Sequence, residues 1–247
     1  MSTWILLRGW ARESRHWEDF PARLEAALPA ARAMTLDLPG AGERRHESSP
    51  LSVRETVRAL RGELGCRAST DRASLLGLSF GGMVAIEWAR AYPDEVERLV
   101  VVNTSARPFC RAWHRLRPGN YARVARLMAS RADAAREAAI LTLTTSARDE
   151  GRIERWTRYA AERPMSRANA LRQLVAAARY RASARAPSVP TLVLASAGDR
   201  LVDARCSREL ARAWGVAFAL HADAGHDLAV DDGPWVAAQV ARWIRPT

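Results

Sequence analysis

The chain has 247 residues, 48% of them hydrophobic, enough for one large domain or for a domain carrying a long insertion. No apolar run approaches the roughly 18 residues that a membrane-spanning helix needs, and the short apolar stretch after Met1 lacks the features of a secretory leader. Cys66, Cys110 and Cys206 are too few and too scattered for a disulfide framework or a metal site, which suits a reducing cytoplasm, and all 38 basic residues behind the net charge of +11 are arginine.

Short β-like runs then alternate with helical periodicity. Residues 4–7 read as a first strand. Between 16 and 28, Trp17, Phe20, Leu24 and Leu28 recur at helical spacing and predict one helix. Residues 33–38 form a second strand. Ser52 and Glu55 make a capping box at the head of a helix that runs to about Leu64. A third strand is expected at 73–78, a helix at 81–92 stopped before Pro93, and a fourth strand at 98–103. Residues 107–185 carry no convincing strand and read as helices near 118–129, 132–143, 149–162 and 166–182. A strand at 190–195, a helix at 205–214, a strand at 217–221 and a helix at 233–243 complete the chain. The pattern predicts an α/β fold with a mostly parallel, six-stranded, doubly wound sheet built from 1–106 and 186–247. An all-helical insertion, 107–185, lies over one edge of it. Ligands of such sheets bind beyond the carboxyl ends of the strands, so the chemistry is sought there.

The third predicted strand ends in Gly77-Leu78-Ser79-Phe80-Gly81, and a helix follows at once. A sharp strand-to-helix turn lifts a serine hydroxyl clear of the backbone, and the helix amino terminus offers free N–H groups to a developing oxyanion. A serine nucleophile needs a base and an acid to orient that base. Asp199 follows Gly198 beyond the fifth strand, and His226 follows Gly225 beyond the sixth, so Asp199 is expected as the acid and His226 as the base. Among the other histidines, His221 sits within a strand, His46 in a polar loop and His114 at the start of the insertion, while His16 beside the first strand's exit could line the pocket. Asp203, Asp223 and Asp227 are the alternative acids, with solvated surface positions as their simpler account.

On these residues the chain resembles the α/β-hydrolase superfamily over essentially its whole length. The matching stretches are Leu6 to Trp10, Asp37 to Gly40, Gly77 to Gly81, Ala85 to Pro93, Gly198-Asp199 and Gly225-His226. The resemblance implies a sheet that lacks the superfamily's usual amino-terminal hairpin, with 107–185 as its variable cap. It also implies an oxyanion hole from the backbone N–H groups of Trp10 and Phe80. Relatives commonly carry His-Gly where this chain has Arg8-Gly9; Arg8 either pairs with a nearby carboxylate or faces the acyl site. Met83 and Leu201 are further expected pocket residues. A serine nucleophile excludes the branches that use aspartate, and no metal or organic cofactor is implied.

The excess charge is concentrated: 107–185 holds 18 arginines against six acidic residues, and the remainder 20 against 21. A basic surface beside a site entrance attracts acidic partners, and the positions named for it are Arg123, Arg126, Arg152, Arg155 and Arg158. No nucleic-acid-binding motif accompanies the charge. Size, layout and basic cap are similar to the biotin-pathway esterases that demethylate pimeloyl-acyl-carrier-protein methyl ester. That resemblance implies a carboxylic ester hydrolase, with acyl carrier protein as a partner. Two alternatives are a carbon–carbon hydrolase or menaquinone-pathway-type synthase acting on an anionic small molecule, and a non-catalytic binding protein on the same scaffold.

Overall fold

The computed structural model describes residues 2–65, 72–130 and 134–245; Cys66, Asp133 and the start of the helix expected from 132 lie outside them. The strands are β1 (Ser2–Leu7), β2 (Ala31–Leu36), β3 (Ala73–Leu78), β4 (Val96–Val102), β5 (Thr191–Ser196) and β6 (Ala217–His221). All neighbouring pairs are parallel, in the order β2-β1-β3-β4-β5-β6. A parallel sheet is covered on both faces, so its strands bury side chains of both parities. In β1, Ile5 and Leu7 join one core with α2 (Val53–Gly65) and α3 (Phe80–Ala91), while Trp4 and Leu6 join a second core with α1 (Phe20–Ala27). Ser52 caps its helix as the sequence suggests, accepting the Glu55 N–H on Oγ, while the Glu55 carboxylate accepts the Ser52 hydroxyl at 2.9 Å rather than its backbone N–H.

After β4 come α4 (Ala112–Arg115), α5 (Tyr121–Ala129), α6 (Ala134–Thr144), α7 (Glu150–Glu162) and α8 (Arg167–Arg179). Beyond β5 stand α9 (Arg205–Trp214), α10 (Leu228–Asp231) and α11 (Gly233–Ile244), the last packed against the second core. The helical block does not lie over a sheet edge. Its Leu127, Leu143 and Leu174 share a cavity with Gly9, Ser79 and His226, so it covers the carboxyl ends of the strands.

Two local expectations are corrected. The single helix expected over 16–28 is broken: a short 3-10 turn (Ser14–Trp17) comes first, Glu18 adopts a φ of 50°, and α1 begins at Phe20. Pro21 explains the break, because a residue without an N–H fits the first turn of a helix and not its interior. Trp17 and Phe20 keep their apolar roles by stacking at 5.4 Å rather than by sharing one helix. The cysteines are also not all isolated. Cys110 and Cys206, 96 residues apart, form a disulfide with a Cα–Cα distance of 5.2 Å, tying the start of the helical block to α9. Sequence separation hid this pair, since β4 and β5 are neighbours and bring the segments that follow them together.

Candidate active site

The order of the sheet sets the site. β1 has β2 on one side and β3 on the other, so the connections leaving β1 and β3 diverge and a crevice opens between them. Gly9 and Trp10 enter it from β1, and Ser79 from β3. Ser79 holds a φ of 56°, a region that non-glycine residues rarely occupy and that marks backbone strain at functional turns. Two glycines permit this turn: a Cβ on Gly77 would strike the Gly81 backbone, and one on Gly81 would strike the carbonyls of Leu7 and Arg8. The Ser79 N–H donates to the Val102 carbonyl at 2.9 Å, and Thr104 Oγ1 donates to the Ser79 carbonyl at 3.2 Å, so the turn is fixed from β4.

Asp199 and His226 are brought together from the ends of β5 and β6. His226 Nδ1 stands 2.7 Å from Asp199 Oδ2, and both residues are buried. The other oxygen of Asp199 accepts the N–H groups of Leu201 and Val202, at 2.8 and 2.9 Å, which orients the carboxylate. Burial alone would depress the imidazole pKa. The charge and hydrogen bond of Asp199, helped by Asp227, outweigh both burial and the repulsion of Arg8, and His226 lies above its ordinary value. Ser79 and His226 line one cavity of about 480 Å³, whose walls are mostly apolar. Trp10, Phe80, Met83 and Leu201 line it too. Among the described residues, no acceptor is bonded to the backbone N–H of Trp10 or Phe80, while the Trp10 indole is engaged elsewhere, donating to the Ala170 carbonyl at 2.8 Å.

The alternative acids are otherwise occupied. Asp203 pairs with Arg205 and sits near His114, and the Arg205 hydrogen bond, the largest influence, holds its carboxyl far below the usual range. Asp223 is exposed. Asp227 forms a two-pronged pair with Arg8, at 2.9 and 2.6 Å. Arg8 is therefore a buried, paired cation at the cavity wall, lying over the Trp17 ring at 4.8 Å.

His16 does not line this cavity. It is buried against the rings of Trp156 and Tyr159, and its Nδ1 accepts the Glu13 N–H at 3.2 Å. Burial, with the charges of Arg12 and Arg8, holds it well below the ordinary histidine value, so it is a neutral packing residue. The basic surface is smaller than the sequence suggests. Arg152 and Arg155 turn to Glu18 of the core, at 3.2 and 3.3 Å, whereas Arg123, Arg126 and Arg158 are exposed.

One residue escaped sequence reasoning. Asn103, with a φ of 47°, donates through Nδ2 to Ser196 Oγ and to the carbonyls of Gly225 and His226 at 3.0, 3.2 and 2.8 Å. Its Oδ1 accepts the Ser196 N–H at 2.8 Å, so one buried amide joins β4, β5 and the His226 loop. A polar residue directly after an apolar strand was the available signal.

Six parallel strands, a strained serine turn beyond β3 and a histidine–carboxylate contact beyond β5 and β6 are the architecture of the α/β-hydrolase fold. A family model described as the alpha/beta hydrolase family matches residues 4–239, and the chain belongs to that family. Over 108 residues it is 31% identical to the biotin biosynthesis bifunctional protein BioHC of Teredinibacter turnerae, a match covering 42% of this chain and 17% of that protein. Over 101 residues it is 32% identical to the pimeloyl-[acyl-carrier protein] methyl ester esterase of Pectobacterium carotovorum, covering 41% of this chain and 36% of the relative. The matches thus span well under half the length of these curated relatives. The enol-lactonase of Burkholderia xenovorans LB400 has a similar structure, with a TM-score of 0.79 at 20% identity over 98% of this chain and 91% of that one. No helix among the described residues is long and apolar enough to cross a membrane.

Proposed function

We propose that this protein is a serine hydrolase that cleaves a carboxylic ester through an acyl-enzyme, with 107–185 as the cap over its site. The observation that carries the reading is the buried Asp199–His226 contact opening on the cavity that holds the strained Ser79 turn. Ser79 Oγ attacks the acyl carbonyl while His226 takes its proton. The N–H groups of Trp10 and Phe80 stabilise the oxyanion. His226 then returns the proton to the departing alkoxide, releasing the alcohol. Water, deprotonated by His226, attacks the acyl carbonyl, the acyl–Ser79 bond breaks as His226 returns that proton to Ser79 Oγ, and the acid leaves. Asp199 holds the imidazole in the required tautomer and balances its charge.

The finer reading is an ester carried on an acyl carrier protein, as the names of the biotin-pathway relatives suggest. Arg123 and Arg126 favour it. They are exposed on α5, whose Val124 and Leu127 line the cavity, whereas α7 with Arg158 contributes nothing to the cavity wall.

The test is a panel of methyl and aryl esters, including one carrier-linked dicarboxylate methyl ester, assayed with Ser79→Ala as control. Turnover should fall by about 10⁴-fold or more in the variant, and fluorophosphonate labelling should vanish. Retention of near-wild-type hydrolysis by Ser79→Ala would overturn the reading. A preference for the carrier-linked ester that collapses in high salt supports the carrier, because the attraction is electrostatic. A second reading, carbon–carbon cleavage or synthesis on an anionic small molecule, draws support from Arg107 and Arg115, which line the cavity and have no carboxylate partner among the described residues; failure to turn over any simple ester would favour it.

A further inference from the structure

The cavity that holds Ser79 is lined by four arginines, Arg8, Arg12, Arg107 and Arg115, and by one carboxylate, Asp227. Asp227 is taken by Arg8, and Arg12 is paired with the buried Glu137 at 2.7 Å. Arg107 and Arg115 have no carboxylate partner among the described residues. Their guanidinium groups instead lean on the carboxyl end of α8: Arg115 donates to the carbonyls of Ala177 and Ala178 at 2.6 and 3.3 Å, and Arg107 to that of Arg179 at 2.8 Å.

Cations at a helix carboxyl terminus are favourable by themselves. Capping alone does not account for this pair. Arg115 Nε is buried with no hydrogen-bond partner, although a buried N–H left unmade is costly. The two guanidinium groups are also close enough to repel: burial, and then the charge of Arg107, push the Arg115 pKa down to about 10. Two cations held together against an otherwise apolar wall, short of negative charge, describe a place that an anion completes.

We propose that Arg115 and Arg107 form a receptor for an oxyanion group, carboxylate or phosphate, carried by the substrate away from its scissile ester. This rests on Ser79 as the nucleophile and adds the substrate class. The backbone carbonyls fix both forks at the cavity wall, and the remaining donors of the exposed Arg107 are left for the ligand. Arg107 is exposed, so it stands where the cavity meets solvent, and the anionic end of the substrate would point outward.

The experiment compares three methyl esters of equal chain length: one ending in a methyl group, one in a carboxylate and one in a phosphate monoester. Each is assayed with the wild type, Arg115→Gln, Arg107→Gln and, as a remote control, Arg212→Gln. The expected result is a preference for at least one anionic ester of about tenfold or more in kcat/KM, expressed mainly in KM. The anionic-to-neutral ratio should fall towards one in Arg115→Gln and in Arg107→Gln and stay unchanged in Arg212→Gln. Which anion is preferred separates a carboxylate-bearing from a phosphate-bearing substrate. An equal rate for neutral and anionic esters, or an equal loss on both in the arginine variants, overturns the receptor. Arg107→Gln carries the test if Arg115→Gln fails to fold. Calorimetric binding of the same esters to Ser79→Ala separates the two claims: absence of hydrolysis with anion-selective binding sinks the nucleophile and keeps the receptor, while hydrolysis without that selectivity does the reverse.

Discussion

Two seams of the helical block, one against the core and one within the block itself, treat charge in opposite ways. On the α6–α7 side nearly every cation has a carboxylate. Arg12 pairs with Glu137, Arg15 with Glu162, Arg152 and Arg155 with Glu18, and Arg163 with Glu13 and Glu43. Aromatic rings back several of them, Arg12 lying 4.6 Å over Trp156 and Arg15 4.3 Å over Tyr159. On the α4–α8 side, Arg107 and Arg115 meet only backbone carbonyls. Removing one partner of the buried Arg12–Glu137 pair strands the other charge, whereas the other pairs of this seam are partly exposed. The second seam keeps positive charge available. The difference separates a joint between the helical block and the core from a wall whose cations lack carboxylate partners among the described residues.

The comparison is broken most directly by stability. Glu137→Gln leaves Arg12 buried without its carboxylate and should cost about 3–5 kcal/mol. Arg115→Gln loses hydrogen bonds to two carbonyls and should cost about 1 kcal/mol. Urea midpoints of the two variants check this, with their m-values confirming that both unfold as the wild type does. Similar losses would mean that the seams do not differ as described.

Arg8 lies between these extremes, being inside the cavity yet paired, and the pH profile sharpens its role. A base must be neutral to act, and His226 sits above its ordinary pKa, so kcat/KM should fall as pH drops through a value above that of an ordinary histidine. Asp227 raises that pKa and Arg8 lowers it. Asp227→Asn removes a raising charge and leaves Arg8 unopposed, which should move the acid limb to lower pH. Arg8→Gln removes the lowering charge and frees Asp227, which should move it to higher pH. Shifts in the same direction from both variants would show that the pair acts through the position of the His226 loop and not through charge.

Local pattern carried the sheet and the turn. Alternating strands and helices, a Ser52–Glu55 cap and a strand running straight into Gly77-Leu78-Ser79 are each written in short stretches of neighbouring residues. What local pattern could not supply was the choice of partner across long separations. Arg8 is 219 residues from Asp227, and nothing near either says that they meet. Glu18 takes Arg152 and Arg155 because the break at Pro21 turns it towards α7, and the helical reading of 16–28 concealed that break. Asn103 was passed over because its meaning lies in the end of β5 and the His226 loop, which only the folded sheet brings to it. The cysteine pair belongs to the same class. Charge counting identified a basic block correctly as a sum, but the surface it implied shrinks once the acids of the core are set opposite its arginines.

The smallest expected effect tests that last point. Arg155 is partly exposed and shares Glu18 with Arg152 and with the Trp156 indole, which donates at 2.9 Å. Arg155→Gln leaves Glu18 with two donors, and as a surface ion pair it should cost no more than about 0.5 kcal/mol, less still at high salt. Arg152 is more enclosed and also reaches Asp149 at 3.5 Å, so Arg152→Gln should cost somewhat more. Neither variant should weaken association with an acidic partner as Arg123→Gln or Arg126→Gln would, since both side chains already face a carboxylate of their own chain. If Arg155→Gln impaired partner binding as strongly as the α5 variants, Glu18 would not be neutralising it in solution, and the compensated seam would have to be drawn one residue shorter.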